Sequence, residues 1–590
     1  MDLRTRGPEQ NVFRRKMPGH GGKMEKILLH ELLEAVGGKL LTAADKGCTA
    51  SPEMSAEERD VCPDAEDMMS TEILSVVTDS RKIEPGCVFF ALCGERFDGH
   101  AFVDSAVKSG AAGCVISKEP ENLVPGKFYV LVEDTLRALG RLAHYYRMKF
   151  DVTVIGITGS VGKTTCREMV SAVLSGRFLV HHTEGNFNNE IGLPMTIFNL
   201  SHEHEVMVLE MGMNHPGEIS RLTRIASPDI AVITNIGTAH IGLLGSRENI
   251  FLAKKEIFEG MSEGSAAILC GDDDFLPKIA EDPVLSGKFR IFYAGKGSLC
   301  SYRGLDTRIE IGDMVTGSHR ALIKTTCRIS LPDVRPAVIG GSGISAEISG
   351  DLSEKAAEAG QEAVEGGSKV PEDVPKAGEN GQKAMESGQE TAEGDARDGR
   401  QREVELRIAA AGLHLVWPAT IAVAVADLLG MTGEEILKGM ENFSGQRLRC
   451  EKYGDILLFD DTYNASPESM KSSLDLISCL PVRKKAAVLG DMLEQGEFAG
   501  RLHREVGAAA AKAGIDTLIT VGSLSVDMAD EALREGLKDV RVFHDRESAE
   551  KAVEEITQPG TVILFKASHS MALDRLAAVS RKKAEAQEEK

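Results

Sequence analysis

The sequence predicts an α/β protein of three domains: a small mixed α/β unit at 24–150, a central parallel-sheet domain with a phosphate loop at 151–446, and a Rossmann-like C-terminal domain at 447–580. Three observations predict it. Short apolar runs alternate with helical patterns between 151 and 272, and the alternation restarts after Arg447, as expected of parallel sheets with crossover helices. A glycine-rich turn, GITGSVGKTT at 156–165, joins one such run to a helical pattern. At 590 residues the chain is long enough for three separate cores, on a prior of roughly 150 to 200 residues per domain.

In the central domain VTVIGIT, VMVLEM, IAVIT and AAILC read as strands, separated by helical stretches at 164–175, 217–225 and 247–261. In the last domain ILLF, KAAVL, TLIT and TVILF alternate with helical stretches at 466–479, 498–513 and 570–580. The most apolar window, 409–426, contains His414, Pro418 and Thr420 and is followed by Asp427. It reads as a buried helix, and no membrane span is expected. The segment 340–403 has no aromatic residue, carries 15 acidic and 7 basic residues, and contains the near-repeats GQEAVEG, GQKAMES and GQETAEG. It cannot bury enough apolar surface to offset its ordering entropy and is expected to be a disordered insertion. The stretch 41–70, with 8 acidic and 2 basic residues, reads as a smaller acidic insertion. Residues 1–23 read as a basic disordered tail and 581–590 as a charged one.

The two insertions hold most of the formal charge of −22, so the rest of the chain is only mildly acidic. No broad basic face argues for nucleic acid. The 11 cysteines include no C-x-x-C pair, which predicts neither a disulfide framework nor a zinc site, but reduced cytoplasmic thiols. Arg4, Arg6, Arg14, Arg15 and Lys16 are followed by no apolar stretch until Ile27, so a signal peptide is not expected. Met24 is a candidate start.

The loop departs from G-x-x-x-x-G-K-[ST], because Ile157 stands where the first glycine belongs. It still follows a strand and opens a helix. Amides of the turn from Gly159 to Lys163, with the positive helix end, suit phosphates, while Lys163 suits the β and γ oxygens and Thr164 a Mg2+ ion. Glu210 ends VMVLE, and a carboxylate at the carboxyl end of a nearby strand is where a second metal contact belongs; a solvated strand end is the alternative. His240, in NIGTAHIG, suits a metal or a turn cap. GNFNNEIGLP (185–194) gathers Asn186, Asn188 and Asn189, suited to a polar substrate or to capping the helix beyond. ILLFDDTYNASP (456–467) puts Asp460 and Asp461 at a strand end facing a cleft. Lys254 and Lys255 lie in the helical ENIFLAKKEIF, where a solvated face is the ordinary reading.

Taken in order, TGSVGKTT, GNFNNEIGLPMT, EMGMNHPGEI, TNIGTAH, AKKEIF and DDTYNASPESM resemble the Mur ligases. The run TDSRKIEPGCVFFALCGERFDGHAFVDSAVKSGAAGCVIS (78–117) is similar to the uridine-nucleotide-binding domain of that family. The likeness spans 24–330 and 404–580, and the shortened T-G-x-x-G-K-T loop is part of it. It implies ATP-dependent addition of D-alanyl-D-alanine to UDP-N-acetylmuramoyl-tripeptide through an acyl phosphate, in peptidoglycan synthesis, by a cytoplasmic monomer. ATP and Mg2+ are the implied cofactors. Thr158, Gly159, Ser160, Val161, Gly162, Lys163, Thr164 and Thr165 would hold the nucleotide, together with Asn235, Arg447 and Asp461. Thr164, Glu210, His240 and Lys254 would hold the metal, Lys254 matching a lysine that can carry a carbamate. Lys163, Glu210, His240 and Lys254 form the implied catalytic set. Thr78, Asp79, Ser80 and Arg81 would contact the UDP-linked substrate, and Asn186, Asn188, Asn189 and Asn464 are the other implied substrate contacts.

Two segments depart from the family pattern. GLHLVWPAT (412–420) has Leu415 and Pro418 where G-x-H-N-x-x-N-A has asparagines, so the adenine contact must differ, with the ring of Trp417 nearby. KASHSMALDRL (566–576) has Ala567 and His569 where glycine and arginine are more usual, and it is left out of the catalytic set. No D-N-P-[RA] segment of the diaminopimelate- or lysine-adding ligases is found. Such a ligase, a non-catalytic nucleotide-binding scaffold derived from the family, and a simple phosphate-loop ATPase or kinase stand as alternatives.

Overall fold

The structure is a computed structural model that describes residues 24–46, 65–94, 97–314, 321–339, 402–445 and 448–588. The tail at 1–23, nearly all of the segment 340–403, and Arg447 lie outside the described residues.

The first sheet has five strands in the order Lys39–Leu41, Phe128–Leu131, Gly113–Ile116, Cys87–Phe90, Ser75–Val77. All pairs are parallel except the first. Phe89, Phe90, Phe128 and Tyr129 are fully buried, since parallel strands covered on both faces are apolar throughout. The stretch 41–70 is less of an insertion than its composition suggests. Leu41 ends a strand, and the 3-10 turn Ala43–Lys46 and the helix Ala65–Met68 are formed; only 47–64 lie outside the described residues.

The second sheet runs Val180–His182, Val206–Glu210, Thr153–Thr158, Ile230–Ile233, Ala266–Cys270, Arg290–Gly295, Tyr302–Met314, Ala321–Ser330, Glu403–Ile408. Its first seven strands are parallel and the last two add antiparallel. Chain order reverses around Thr153–Thr158, so the carboxyl ends of that strand and its two neighbours open on one crevice. The apolar window 409–426 is helical only from Val416, because Gly412 adopts φ 143° and Leu413–Leu415 form a 3-10 turn. From there to Leu428 every residue except Trp417 is buried. No described helix is long and apolar enough to cross a membrane.

The third sheet runs Arg449–Tyr453, Ile456–Asp460, Thr561–Lys566, Lys484–Gly490, Thr517–Val521, Asp539–Phe543, parallel apart from its first pair. The helix Asp574–Glu588 runs on past the boundary expected at 580. Arg581 explains the difference: its guanidinium donates to Glu451 and to Asp460, each at 2.6 Å, and ties the charged stretch to the sheet.

His181, on the edge strand Val180–His182, donates from Nε2 to the Thr196 carbonyl (2.8 Å) and packs on the His204 ring. Burial holds its pKa down at about 4. An unfolded chain takes up that proton near pH 6.5, so between these values the unfolded state binds more protons. Stability is then full above the unfolded value and is lost as pH falls toward the folded one. The ring is partly exposed, so the expected loss between pH 6.5 and 4 is about 2 kcal/mol rather than the full shift. Urea titrations at stepped pH check this, with His181→Phe flattening that part of the profile.

Candidate active site

Ile157 is not a loop residue at all. It is the penultimate residue of the strand Thr153–Thr158, buried and paired with Glu210 on one side and Val232 on the other. The turn begins at Gly159, with φ 144°, where a Cβ would fall 1.9 Å from Thr234 Oγ1. It ends at Gly162, with φ 83°, which starts the helix Lys163–Leu174. Both conformations favour glycine.

Between the glycines, the turn is pinned by the end of the next strand. Asn235 accepts Val161 N–H at Oδ1 (3.0 Å), donates from Nδ2 to the Val161 carbonyl (2.9 Å), and takes Ser160 N–H on its own carbonyl (3.0 Å). Thr234 Oγ1 also donates to the Val161 carbonyl (2.7 Å), and Gly237 N–H donates to Ser160 Oγ (2.9 Å). Thr158 Oγ1 is turned to the Met211 carbonyl (2.9 Å). Two amides expected to face phosphate, those of Ser160 and Val161, are thus engaged within the protein. The amides of Lys163, Thr164 and Thr165 precede the first intrahelical bond, from Cys166 N–H to the Gly162 carbonyl, and point out of the helix end as an anion cradle requires. Lys163 Nζ arches over the turn, donating to the Gly159 (2.8 Å) and Ser160 (3.3 Å) carbonyls.

Glu210 is buried at its strand end. Its Oε1 accepts from Asn188 Nδ2 (2.8 Å) and its Oε2 from Arg167 Nη1 (3.3 Å). Arg167, equally buried, also donates to the Gly185 carbonyl (2.9 Å) and to Glu168 (3.2 Å). Arg167 was not singled out in the sequence. The available signal was its spacing, four residues beyond Lys163 and so on the same helix face.

His240 sits at φ 64°, in the left-handed region, with Nδ1 3.3 Å from Glu494 but off the hydrogen-bonding direction; that nitrogen is buried without a hydrogen-bond partner among the described residues. Burial, then the charges of Lys163 and Lys254, push its pKa down. Lys254 is wholly buried on the helix Arg247–Lys255, and burial together with Lys163 pushes its pKa well below the usual lysine value. The solvated face expected of a lysine pair holds for Lys255, which bonds Asp282 at 2.6 Å near the surface. The Thr164 hydroxyl and the Glu210 carboxylate are hard oxygen donors of the kind Mg2+ takes, and the buried Nδ1 of His240 has no hydrogen-bond partner among the described residues.

The three asparagines of 185–194 separate. Asn188 orients Glu210, Asn189 Oδ1 accepts from Gly192 N–H (2.8 Å) to begin the helix Gly192–Ile197, and Asn186 is exposed. In the first domain Asp79 caps the short turn Ser80–Lys82 and is forked by Arg81 Nε and Nη2 (2.9 and 2.8 Å); Arg81 is otherwise exposed, and its guanidinium holds the Asp79 carboxyl down at about 2. Thr78 and Ser80 lie beside it, half-buried. In the last domain Asp461 accepts from Ser473 Oγ (2.7 Å) and from the buried Lys566 Nζ (2.6 Å), which also donates to the Asn464 carbonyl (2.9 Å). Lys566 opens the segment left out of the catalytic set, and nothing in its sequence marks it. Leu415 and Pro418 are buried, whereas Trp417 and His414 line a cavity of about 220 Å³ with Asp272, Gly295 and Lys296.

A reversed parallel sheet carrying this turn, with a Rossmann-like domain after it, defines a phosphate-loop nucleotide-binding enzyme. Family models match in the same order: "Mur ligase family, catalytic domain" at 72–147, "Mur ligase middle domain" at 157–292, and "Mur ligase, glutamate ligase domain" at 446–569. The UDP-N-acetylmuramoyl-tripeptide--D-alanyl-D-alanine ligase of Bacillus subtilis is 35% identical over 86% of this chain and 93% of its own. That of Escherichia coli is 29% identical over 76% and 82%. The crystal structure of MurF from Acinetobacter baumannii superposes with a TM-score of 0.70 at 28% identity, covering 95% of this chain and 99% of that one; MurF ligase from Thermotoga maritima in complex with ADP gives 0.65 at 25%, covering 87% and 98%. The chain belongs to the Mur ligase family.

Replacing Arg167 by methionine keeps most of the volume but leaves Glu210 buried without its cation. A loss of about 3 kcal/mol in unfolding free energy is expected from denaturant titration. Adding Glu210→Gln to that variant removes the buried charge and is expected to recover part of the loss.

Proposed function

We propose that the chain is an ATP-dependent ligase that joins D-alanyl-D-alanine to UDP-N-acetylmuramoyl-tripeptide, giving the pentapeptide precursor of peptidoglycan with ADP and phosphate, and that it acts as a cytoplasmic monomer. The observation that supports this reading is the closeness of Lys163 to His240 and Lys254, with Glu210 ending the strand beside the phosphate-loop strand where the central sheet reverses. The identity to ligases of that printed name supports the substrates.

A peptide carboxylate is a poor electrophile. Its oxygen attacks the γ-phosphorus of ATP, ADP leaves, and an acyl phosphate results. The dipeptide amine then attacks the acyl carbon, phosphate leaves, and the nitrogen loses a proton. Negative charge gathers on oxygens at both steps, and preorganised positive groups lower both barriers. Lys163 turns from its own loop carbonyls to the transferring phosphoryl oxygens, while the first-turn amides of Lys163, Thr164 and Thr165 hold the phosphate chain. Asn235, Ser160 and Val161 keep the turn in shape. Thr164, Glu210 and His240 are the residues that would hold Mg2+, which when bound clamps the phosphate oxygens and offsets their charge. Burial and the Lys163 charge favour the neutral amine of Lys254, the form that adds CO2; with loss of a proton the carbamate so formed is an anion and would join the metal-holding set.

Thr78, Asp79, Ser80 and Arg81 meet the uridine diphosphate, with Arg81 exchanging Asp79 for phosphate. Asn186 and Asn464, both exposed, meet the peptide substrates, and Asp461 and Arg447 close over the nucleotide. Trp417 supplies a ring face for adenine in place of an asparagine amide. Its cavity lies at the ends of Ala266–Cys270 and Arg290–Gly295, and the second of these is three strands from the phosphate-loop strand. At a strand spacing of about 4.8 Å this is about 14 Å, within reach of an extended nucleoside triphosphate.

Purified full-length protein with ATP and Mg2+ is expected to release phosphate only when both UDP-N-acetylmuramoyl-tripeptide and D-alanyl-D-alanine are present. Lys163→Ala is expected to slow that release by about a hundredfold or more. Phosphate release without an added amine would count against a ligase and favour a simple ATPase.

A further inference from the structure

We propose that Glu468, on the C-terminal domain, is a positioning residue that makes the geometry of the 235–240 loop depend on docking of that domain; the inference rests on the ligase reading above. Glu468 stands in the first turn of the helix Pro467–Ser478. Its Oε1 accepts both the backbone N–H (2.8 Å) and the hydroxyl (2.9 Å) of Thr238 in the central domain. A Cβ on Gly237 would fall 2.8 Å from the Glu468 carboxyl group, so the carboxylate reaches the loop because residue 237 has no side chain.

The remaining anchors of the loop divide at Thr238. Before it, Ile236 N–H donates to Asp273 (2.8 Å), the Ile236 carbonyl accepts from Arg247 Nη2 (2.6 Å), and Gly237 N–H donates to Ser160 Oγ (2.9 Å). These all belong to the central domain. From Thr238 onward the backbone carbonyls of Thr238 and His240 accept from Ile241, Leu243 and Leu244 N–H, and the side-chain contacts come from the C-terminal domain. Glu468 holds Thr238, Glu494 stands against His240 Nδ1, and Gly242 packs on the backbone of Glu494 and Gly496, where a Cβ would fall 2.7 Å from each.

His240 needs outside support. A non-glycine residue at φ 64° sits in a sparsely populated region, and such a conformation persists where the surroundings over-determine it. Glu468 also holds its second oxygen, Oε2, buried with no hydrogen-bond partner among the described residues. Burying an unsatisfied carboxylate oxygen is costly, which an incidental domain contact would relieve by turning it to water. The phosphate turn, in contrast, is anchored wholly within the central domain. The phosphate turn therefore keeps its shape whether or not the C-terminal domain is docked, while His240 takes its working position only when Glu468 has reached Thr238.

The test compares full-length wild type, Glu468→Ala and Glu468→Gln. In Glu468→Ala, ATP affinity by titration calorimetry stays within about twofold, while kcat falls roughly tenfold to a hundredfold, as expected for a lost pair of hydrogen bonds to a charged acceptor. Amide hydrogen exchange over 236–240 rises in the same variant. Glu468→Gln keeps an acceptor oxygen for both donors and retains kcat within about threefold. Should Glu468→Ala not fold, Thr238→Val, which removes only the hydroxyl, is expected to lower kcat severalfold at unchanged ATP affinity. The proposal is overturned if kcat is unchanged, or if it falls only in step with ATP affinity. A wild-type chain that releases no phosphate with both co-substrates would refute the ligase reading instead, and exchange at 236–240 would still decide whether Glu468 restrains the loop.

Discussion

The pairing of the strand Thr153–Thr158 between Val206–Glu210 and Ile230–Ile233 is the constraint on which the rest of the site depends. Because Ile157 is held opposite Glu210 and Val232, the chain leaves the sheet at Gly159 with Thr234 and Asn235 at hand. In this short turn the polar backbone atoms of Val161 find their partners outside it. Asn235 supplies the missing partners, matching both polar atoms of Val161 with the two ends of one amide. The amides suited to phosphate are thereby those of the first turn of the helix Lys163–Leu174, where N–H groups outside the helical ladder and the helix dipole coincide. The shortened loop and Asn235 are thus joined by three hydrogen bonds.

Electrostatics follow from that geometry. Burial pushes the pKa values of His240 and Lys254 down, and the charge of the neighbouring Lys163 lowers both further. Glu210 is held from two sides, its carboxylate accepting from the Arg167 guanidinium and from the Asn188 amide. Arg167 extends the arrangement outward, since the same guanidinium holds the Gly185 carbonyl and with it the turn that bears Asn188.

What could be read in the sequence was whatever is local. The strands VTVIGIT and VMVLE are continuous apolar runs and declare themselves; Val180–His182 carries two histidines, and Glu403–Ile408 merely alternates, so both are recognisable only once a neighbour pairs with them. The glycine turn is local too, and so is the cap formed by Asn189. Arg167, Lys566 and Glu468 escape for a shared reason. Each acts on another residue that is distant in the chain, and a lone cation or carboxylate on a helix or at a strand end looks the same whether it meets solvent or a buried partner. Asn188 and Asn189 show the point most sharply. They are identical neighbours in sequence, yet one directs a buried carboxylate and the other starts a helix, because a single step along a tight turn reverses the direction of the side chain. Residue type and spacing therefore identify the chemistry a site can perform, while the residues that hold it in register become visible only when the strands that separate them in sequence are laid side by side.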